Sequence, residues 1–348
     1  MRVLHLLRSD RFSGAENVVC QIISMCKDEK IEFSYSSQDG QIREALRERG
    51  IDFHPVKKMS VSEFKRVIKE VQPDVIHAHD MGASFFAALA CKKIPLISHI
   101  HNNAFDSRGV SLKSLLYYFA ARKAKRIFWV SQSSFDGYAF HKAFVEKSVV
   151  LYNVIDAEAL EAKMAQDANR YDYDVVYLGR LTEQKNPQRL IEVLSKVVAK
   201  RPGTKVAIIG TGDLESEIKR LVAEKGLSDN IAFLGFQSNP TKILHDAKVM
   251  VMTSRWEGTP MCALEAMAFG VPLVSTPTDG LRELVDDGKT GFLSDDDEVL
   301  AQKIVDIITD GEIHSALSRN TREKALIIND IMAYKKAMIA AYTCNQSL

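Results

Sequence analysis

Short apolar runs rich in β-branched residues alternate with segments of helical spacing from one end of this chain to the other, and no single motif restricts the fold as much. In the first half the runs are Val3 to Leu7, Asp74 to His79, Leu96 to His101, Arg126 to Val130 and Val149 to Tyr152. In the second half they are Val175 to Leu178, Val206 to Ile209, Ile231 to Leu234, Val249 to Met252 and Leu273 to Ser275. Strands apolar on both sides need cover on both faces, and strands joined through helices run parallel, so the pattern implies parallel sheets layered with helices. The rhythm lapses between Ala157 and Asp174, where Glu158, Glu161, Lys163, Gln166, Asp167, Asn169 and Arg170 form a polar stretch. A junction there separates an N-terminal domain over residues 1–160 from a C-terminal domain over residues 170–326. The tail, about 327–345, has helical spacing with Ile331, Ala333, Ala337, Met338 and Ala341, and must pack on something.

A chain of 348 residues is long enough for two domains that each bury a core. No apolar run approaches the roughly 20 residues that span a bilayer, and His5 and Arg8 break the N-terminal run too early for a secretory signal. The expected location is the cytoplasm. Five cysteines, Cys20, Cys26, Cys91, Cys262 and Cys344, lack any C-x-x-C spacing and are odd in number, which argues against a disulfide framework or a zinc cage.

The net charge of +1 hides a division. Residues 1–155 carry 23 Lys and Arg against 16 Asp and Glu, an excess of +7, and the remainder amounts to −6. Only the first half therefore suits an anionic partner. No arginine-rich arm or nucleic-acid module accompanies the charge, so the expected partner is an anionic membrane surface on the inner face rather than nucleic acid. The segment from Leu112 to Arg126 sets Leu115, Leu116, Tyr117, Tyr118 and Phe119 beside Arg122, Lys123, Lys125 and Arg126. Aromatic and basic residues together fit a bilayer boundary; a buried helix with a solvated basic end fits the same residues.

Two segments of the second half carry candidate chemistry. From Glu257 to Glu265 (EGTPMCALE) a Gly/Pro turn leads from a strand into a helix, and the first amides of that helix favour anions or hydroxyl oxygens. The backbone from Gly258 through Thr259 and Pro260 to Met261 would meet the ligand, with Glu257 and Glu265 accepting pairs of hydroxyl protons. From Gly179 to Pro187 (GRLTEQKNP) a loop after a strand brings Arg180 and Lys185 to the carboxyl edge of the sheet, where two cations suit a diphosphate. Near the N-terminus, Gly14 opens a helix and lets a ligand approach the backbone.

The E-x7-E spacing, the following runs Ala266 to Ser275, Gly280 to Val285 and Asp287 to Leu293, and the string G-R-L-x-x-x-K-N resemble glycosyltransferase family 4, the large retaining family of the GT-B fold. The resemblance implies an α/β chain of two Rossmann-like parallel-sheet domains facing a central cleft, with the last helix packing back on the first domain. It implies a retaining, metal-independent hexosyltransferase that uses a nucleotide-sugar, with UDP as the expected nucleotide, and a glycan or lipid-linked acceptor in polysaccharide or glycoconjugate synthesis. No cofactor is expected, because the nucleotide-sugar is itself a substrate. By resemblance Glu265 holds the ribose, Glu257 the sugar hydroxyls, Arg180 and Lys185 the leaving diphosphate, and His101 the transferred sugar. Gly210 and Gly212 border the nucleotide, and the edge from Leu234 to Phe236 meets the base. Two positions depart from the family: Ser13 and Val154 stand where glycine is usual.

Other chemistries fit less well. His77, His79, His99 and His101 share strand faces as a metal site would require, but no acidic or cysteine partner stands at ligand spacing, so no metal is expected. Gly210 and Gly212 begin a dinucleotide fingerprint whose third glycine is replaced by Glu215, which weakens a nicotinamide-dependent oxidoreductase. A sugar-nucleotide epimerase of the same architecture would share the donor clamp without needing a basic first domain. Asp172 and Asp174 resemble a metal-binding D-x-D but precede their strand, and Asp295 to Asp297 reads as a solvated helix start.

Overall fold

The computed structural model describes residues 1–91, 93–102 and 105–343. The chain divides into two compact units: Met1–Asn153 joined by the segment from Ile331 onward, and Val154–Asp330. The boundary precedes the polar stretch, whose helix Ala157–Ala165 is capped by the Asp156 carboxylate and packs within the second unit.

Unit 1 holds strands β1 (Arg2–Leu6), β2 (Glu32–Ser36), β3 (Asp52–Phe53), β4 (Val75–His79), β5 (Leu96–Ile100), β6 (Arg126–Trp129) and β7 (Ser148–Val150). They form one sheet in the order β3-β2-β1-β4-β5-β6-β7, every pair parallel. Unit 2 holds β8 (Val175–Leu178), β9 (Val206–Ile209), β10 (Ile231–Gly235), β11 (Val249–Met252), β12 (Leu273–Ser275) and β13 (Gly291–Leu293). Their order, β10-β9-β8-β11-β12-β13, is again all parallel. In each unit the first strand lies inside the sheet and the order reverses beside it, the doubly wound arrangement.

The central strands β4, β5, β9 and β11 are buried at every residue, as a sheet covered on both faces demands. The core of unit 1 gathers Leu4, Ile76, Ile100, Tyr117, Trp129 and Tyr138; that of unit 2 gathers Val175, Tyr177, Leu194, Ile208, Val251 and Ile304. Helix starts follow local capping chemistry: Ser60 accepts from the Glu63 amide, Ser111 and Ser114 cap each other, and Pro187 occupies the first turn of the helix Pro187–Lys200.

Three strands are absent from the sequence pattern. β2 alternates polar and apolar residues near one edge, β3 has two residues, and β13 has three that include Gly291. The tail also differs. The helix Gly311–Ile328 runs through residue 327, and a separate helix, Ile331–Thr343, buries Tyr334, Met338 and Tyr342 in unit 1 while Ala333 stays exposed; residues 344 and 345 of the expected helix lie outside the described residues. The Tyr342 hydroxyl pairs with His77 Nδ1 at 2.9 Å. Cys20, Cys26 and Cys91 are buried free thiols and Cys262 is half-buried; Cys344 lies outside the described residues. Asp174 serves structure, pairing with Arg201 and Lys248 at 2.9 Å each, and Asp297 is bound by Arg189 at 2.7 Å rather than left to solvent.

Candidate active site

The loops after β8 and β11 are neighbours because those strands flank the reversal point of the second sheet. After β8 the chain turns through Arg180 and a short 3-10 turn, Glu183–Lys185, and leaves through Asn186 in the left-handed region at φ 51°. After β11 the Thr253 hydroxyl donates to the carbonyls of Lys185 and Asn186, and the Arg255 amide donates to the Gln184 carbonyl at 2.8 Å. Gln184 then joins the loops by side chain, accepting from Arg180 at 3.2 Å and donating to the Trp256 carbonyl at 3.1 Å.

At the centre, Lys185 Nζ donates to Glu257 Oε1 at 2.6 Å, both side chains being almost wholly buried. Burial alone would lower the affinity of the Lys185 amine for its proton, but the Glu257 charge and hydrogen bond outweigh it and the pKa rises. Lys185 is therefore held as the ammonium. Arg180 is exposed at the rim. Thus Arg180, Lys185 and Glu257 are brought together, with the cation and the carboxylate already committed to each other.

The loop that carries Glu257 is pinned from the opposite side. The Asp279 carboxylate accepts the Glu257 amide at 3.0 Å, and Asp279 itself sits at φ 43°. A Cβ on the next residue, Gly280, would lie 1.7 Å from the Gly258 carbonyl oxygen, so only glycine permits this approach. Gly258, Thr259, Pro260 and Met261 are buried and lead into the helix Met261–Ala268, whose first amides have no partner earlier in the helix. Glu265 lies in its second turn. Desolvation pushes the Glu265 carboxyl up to about 7, partly countered by Lys163.

Gly210 and Gly212 have a packing role that spacing alone does not reveal. A Cβ on Gly210 would meet the Gly179 carbonyl oxygen at 2.1 Å and one on Gly212 that of Leu181 at 2.3 Å, so both glycines seat the loop that carries Arg180. Phe236 is 65% exposed just beyond β10. Asp279, Gly280 and Gln184 were not singled out by sequence reasoning; only the run around Gly280 gave a signal, and that by resemblance.

In unit 1, Gly14 begins the helix Gly14–Met25 with open space where a Cβ would stand, and Ser13 is engaged by Glu16 at 2.5 Å. His101 follows β5; its amide donates to Asp80 Oδ1 at 3.0 Å and its Nε2 lies 2.8 Å from His79 Nδ1. The four expected histidines do share a face, and His5 of β1 joins them. The exposed residues of the helix Leu112–Lys123 are Leu112, Leu115, Leu116 and Phe119, with Arg122, Lys123 and Lys125 exposed at its end; Tyr117 is fully buried and Tyr118 partly so.

The description Glycosyltransferase Family 4 matches residues 13–159, and Glycosyl transferases group 1 matches residues 160–324. The chain is 28% identical to an uncharacterised glycosyltransferase of Methanocaldococcus jannaschii, over 63% of this chain and 60% of that one. It is 24% identical to the UDP-Gal:alpha-D-GlcNAc-diphosphoundecaprenol alpha-1,3-galactosyltransferase of Escherichia coli, over 97% of this chain and 94% of that one. An Anabaena protein crystallised with UDP-glucose superposes with a TM-score of 0.84 at 21% identity, covering 99% of this chain and all of that one. A Staphylococcus aureus protein, TarM, crystallised with UDP among its ligands, superposes with a TM-score of 0.82 at 15% identity over 98% and 99%. The shared architecture is GT-B.

Lys185→Met strands a buried carboxylate and should cost about 3–5 kcal/mol of stability, measured by urea unfolding. Lys185→Met with Glu257→Gln should recover most of that loss; equal losses in the single and double variants would contradict a coupled pair. For Glu265 the folded state binds the proton more tightly than the unfolded chain, since its pKa rises from 4.5 to about 7. Its contribution is therefore greatest in acid and is lost as pH rises through about 7. Melting temperatures of wild type and Glu265→Gln should diverge in favour of the variant from about pH 4.5 and level off above about 7. A difference independent of pH would contradict it.

Proposed function

The chain belongs to the family 4, group 1 glycosyltransferases, whose two descriptions together match residues 13–324, and from that premise we propose that it transfers a sugar from a UDP-sugar to a glycan or lipid-linked acceptor, with retention and without a metal. The observation that carries this reading is the buried Lys185–Glu257 pair beside Arg180 at the start of the helix Met261–Ala268. Fixed cations at that edge can take the charge that develops on a departing diphosphate, the task a divalent ion performs elsewhere. Glu257 orients the sugar hydroxyls, Glu265 the ribose, the amides of Gly258 to Met261 the sugar or phosphate, and Phe236 flanks the base edge. Gly210 and Gly212 shape the loop border, Gly14 leaves backbone accessible, and His101 keeps the sugar-contact role implied by the family. In the reaction the bond from the anomeric carbon to phosphate breaks, a bond to the acceptor oxygen forms on the same face, and the acceptor proton passes to the leaving phosphate oxygen.

The donor assignment is supported by the UDP-glucose in the Anabaena structure and by the UDP-Gal in the name of the Escherichia coli relative. The acceptor assignment is supported by that relative's diphosphoundecaprenol substrate and by an N-acetylgalactosaminyltransferase of Campylobacter jejuni, 26% identical over 70% of this chain and 66% of that one, named for a diphospho-undecaprenol acceptor. No helix among the described residues is long and apolar enough to cross a membrane. The exposed Leu112, Leu115, Leu116 and Phe119 beside Arg122, Lys123, Lys125 and Arg126 provide a peripheral contact with an anionic bilayer that carries such an acceptor.

A thermal-shift series against UDP-, GDP- and ADP-sugars tests the donor: the UDP-sugar should stabilise the protein by about 2.7 kcal/mol at 100 times its dissociation constant, and equal responses to all three would defeat the assignment. Transfer should survive EDTA, and Arg180→Ala should lower turnover about 10²–10³-fold; activity lost to EDTA and restored by magnesium would refute the protein-cation mechanism. Vesicles containing anionic lipid should sediment the protein in a manner weakened by salt and by joint neutralisation of Arg122, Lys123, Lys125 and Arg126. Binding to neutral vesicles at the same strength would exclude the electrostatic contact.

A further inference from the structure

Within unit 1, three histidines from three separate parts of the sequence are joined end to end. His5 Nδ1 lies 2.9 Å from His79 Nε2, and His79 Nδ1 lies 2.8 Å from His101 Nε2. The ring planes of the two pairs are inclined by only 27° and 20°, with centroids 5.2 and 5.1 Å apart. These separations are the N···N distances lengthened by about one ring radius at each end, so the imidazoles meet edge to edge in nearly one plane, the geometry of an N–H···N hydrogen bond. A metal would require something else. Lone pairs would have to converge on one point about 2.0–2.1 Å from each nitrogen, whereas here nitrogen faces nitrogen at hydrogen-bond distance with no room for an ion between. Two triads, His5 with His77 and His79 and His79 with His99 and His101, have candidate ligand atoms within 4.8 Å of one another, but His79 spends both of its nitrogens on its neighbours.

Burial lowers the pKa of all five clustered rings, so each is neutral at pH 7 and carries one N–H and one lone pair. Each of the two contacts holds one proton, and the three tautomers are therefore interlocked. Either all three rings are protonated on Nδ1, with His5 donating to His79 and His79 to His101, or all three are protonated on Nε2 and the donation runs backwards. The first arrangement presents an N–H at His101 Nδ1; the second presents a lone pair there. Both terminal nitrogens, His5 Nε2 and His101 Nδ1, are buried and lack a hydrogen-bond partner among the described residues, so a ligand oxygen reaches His101 Nδ1 only when the cover over it moves.

Asp80 breaks the symmetry. Its Oδ1 accepts the His101 amide at 3.0 Å, which places a carboxylate at the His101 end of the chain of rings. Three aligned ring dipoles are favoured with their N–H ends toward that charge. The geometry points to a tautomer relay in which His5 and His79 are positioning residues that hold His101 protonated on Nδ1, as a donor to a ligand oxygen. The ligand in that statement rests on the sugar-contact reading of His101; the tautomer does not.

Histidine-selective nitrogen-15 labelling of the full chain, read by long-range proton–nitrogen NMR, reports the protonated nitrogen of each ring. His5, His79 and His101 should all appear protonated on Nδ1; Nε2 protonation in any of them, or averaging between the two forms, overturns the relay. His79→Gln can still accept from His5 and donate to His101, so it should keep His101 on Nδ1, whereas His79→Leu can do neither and should release His101 into a mixture. An unchanged His101 tautomer in folded His79→Leu overturns the proposal. Turnover should follow the spectra, falling about tenfold in His79→Leu at unchanged donor KM, the scale of one hydrogen bond, and recovering in His79→Gln. Equimolar zinc added to chelator-treated protein should leave these nitrogens unmoved; a metal-bound shift replaces the relay with a metal site. Should the spectra appear as expected while His101→Ala remains fully active, the relay stands and the sugar contact falls.

Discussion

A parallel strand cannot be re-entered through a tight turn, because the chain must first travel back along the length of the sheet. Every connection in both sheets obeys this requirement, and it gathers the carboxyl ends of all the strands of a sheet along one edge. Beside the first strand of each unit the order reverses, so the loops on either side diverge and leave a crevice. Lys185 and Glu257 meet there although 72 residues separate them, since one follows β8 and the other β11. The same constraint aligns His5, His79 and His101, which belong to or follow adjacent strands of the first sheet. Chemistry at these edges is a product of connectivity before it is a product of any particular side chain.

An ion pair as enclosed as Lys185–Glu257 is a costly way to hold two loops together. Desolvating both charges offsets most of their attraction, and an apolar pair of similar volume would serve stability as well. Its presence makes sense where charge is itself required. Around it, Gln184, Thr253, Asp279 and the contact of Gly280 with the Gly258 carbonyl hold the backbone in place, so the polar groups are fixed in advance. Glu265 shows the opposite balance, with Lys163 only partly countering its desolvation and the carboxyl pushed up to about 7.

The central strands were legible because burial on both faces leaves an uninterrupted apolar run, as in β4, β5, β9 and β11. β2, β3 and β13 were not, since strands at or near an edge need neither length nor continuous apolarity. For the site, turn residues and helix starts left short-range marks that drew Arg180, Lys185, Glu257 and Glu265 to notice, and the family resemblance was needed to choose them over ordinary surface charges. Pairing between Lys185 and Glu257 left no such mark, and neither did the participation of His5, whose strand reads as ordinary core. The glycines at 210 and 212 suggested a nucleotide border, while the backbone they approach belongs to a loop about thirty residues earlier. Contacts set by the topology of a sheet have no local signature, and that is where the sequence fell silent.

Tyr334, Met338 and Tyr342 are buried in unit 1 yet are made only after the whole of unit 2 has been translated. A ribosome therefore delivers the first 153 residues of that unit with the place of the helix Ile331–Thr343 still open, including the hydroxyl partner of His77. Domains ordinarily complete themselves in the order in which they emerge. Here unit 2 is the first whose residues are all available, and the older half of the chain waits for the younger one before its histidine-lined core can close.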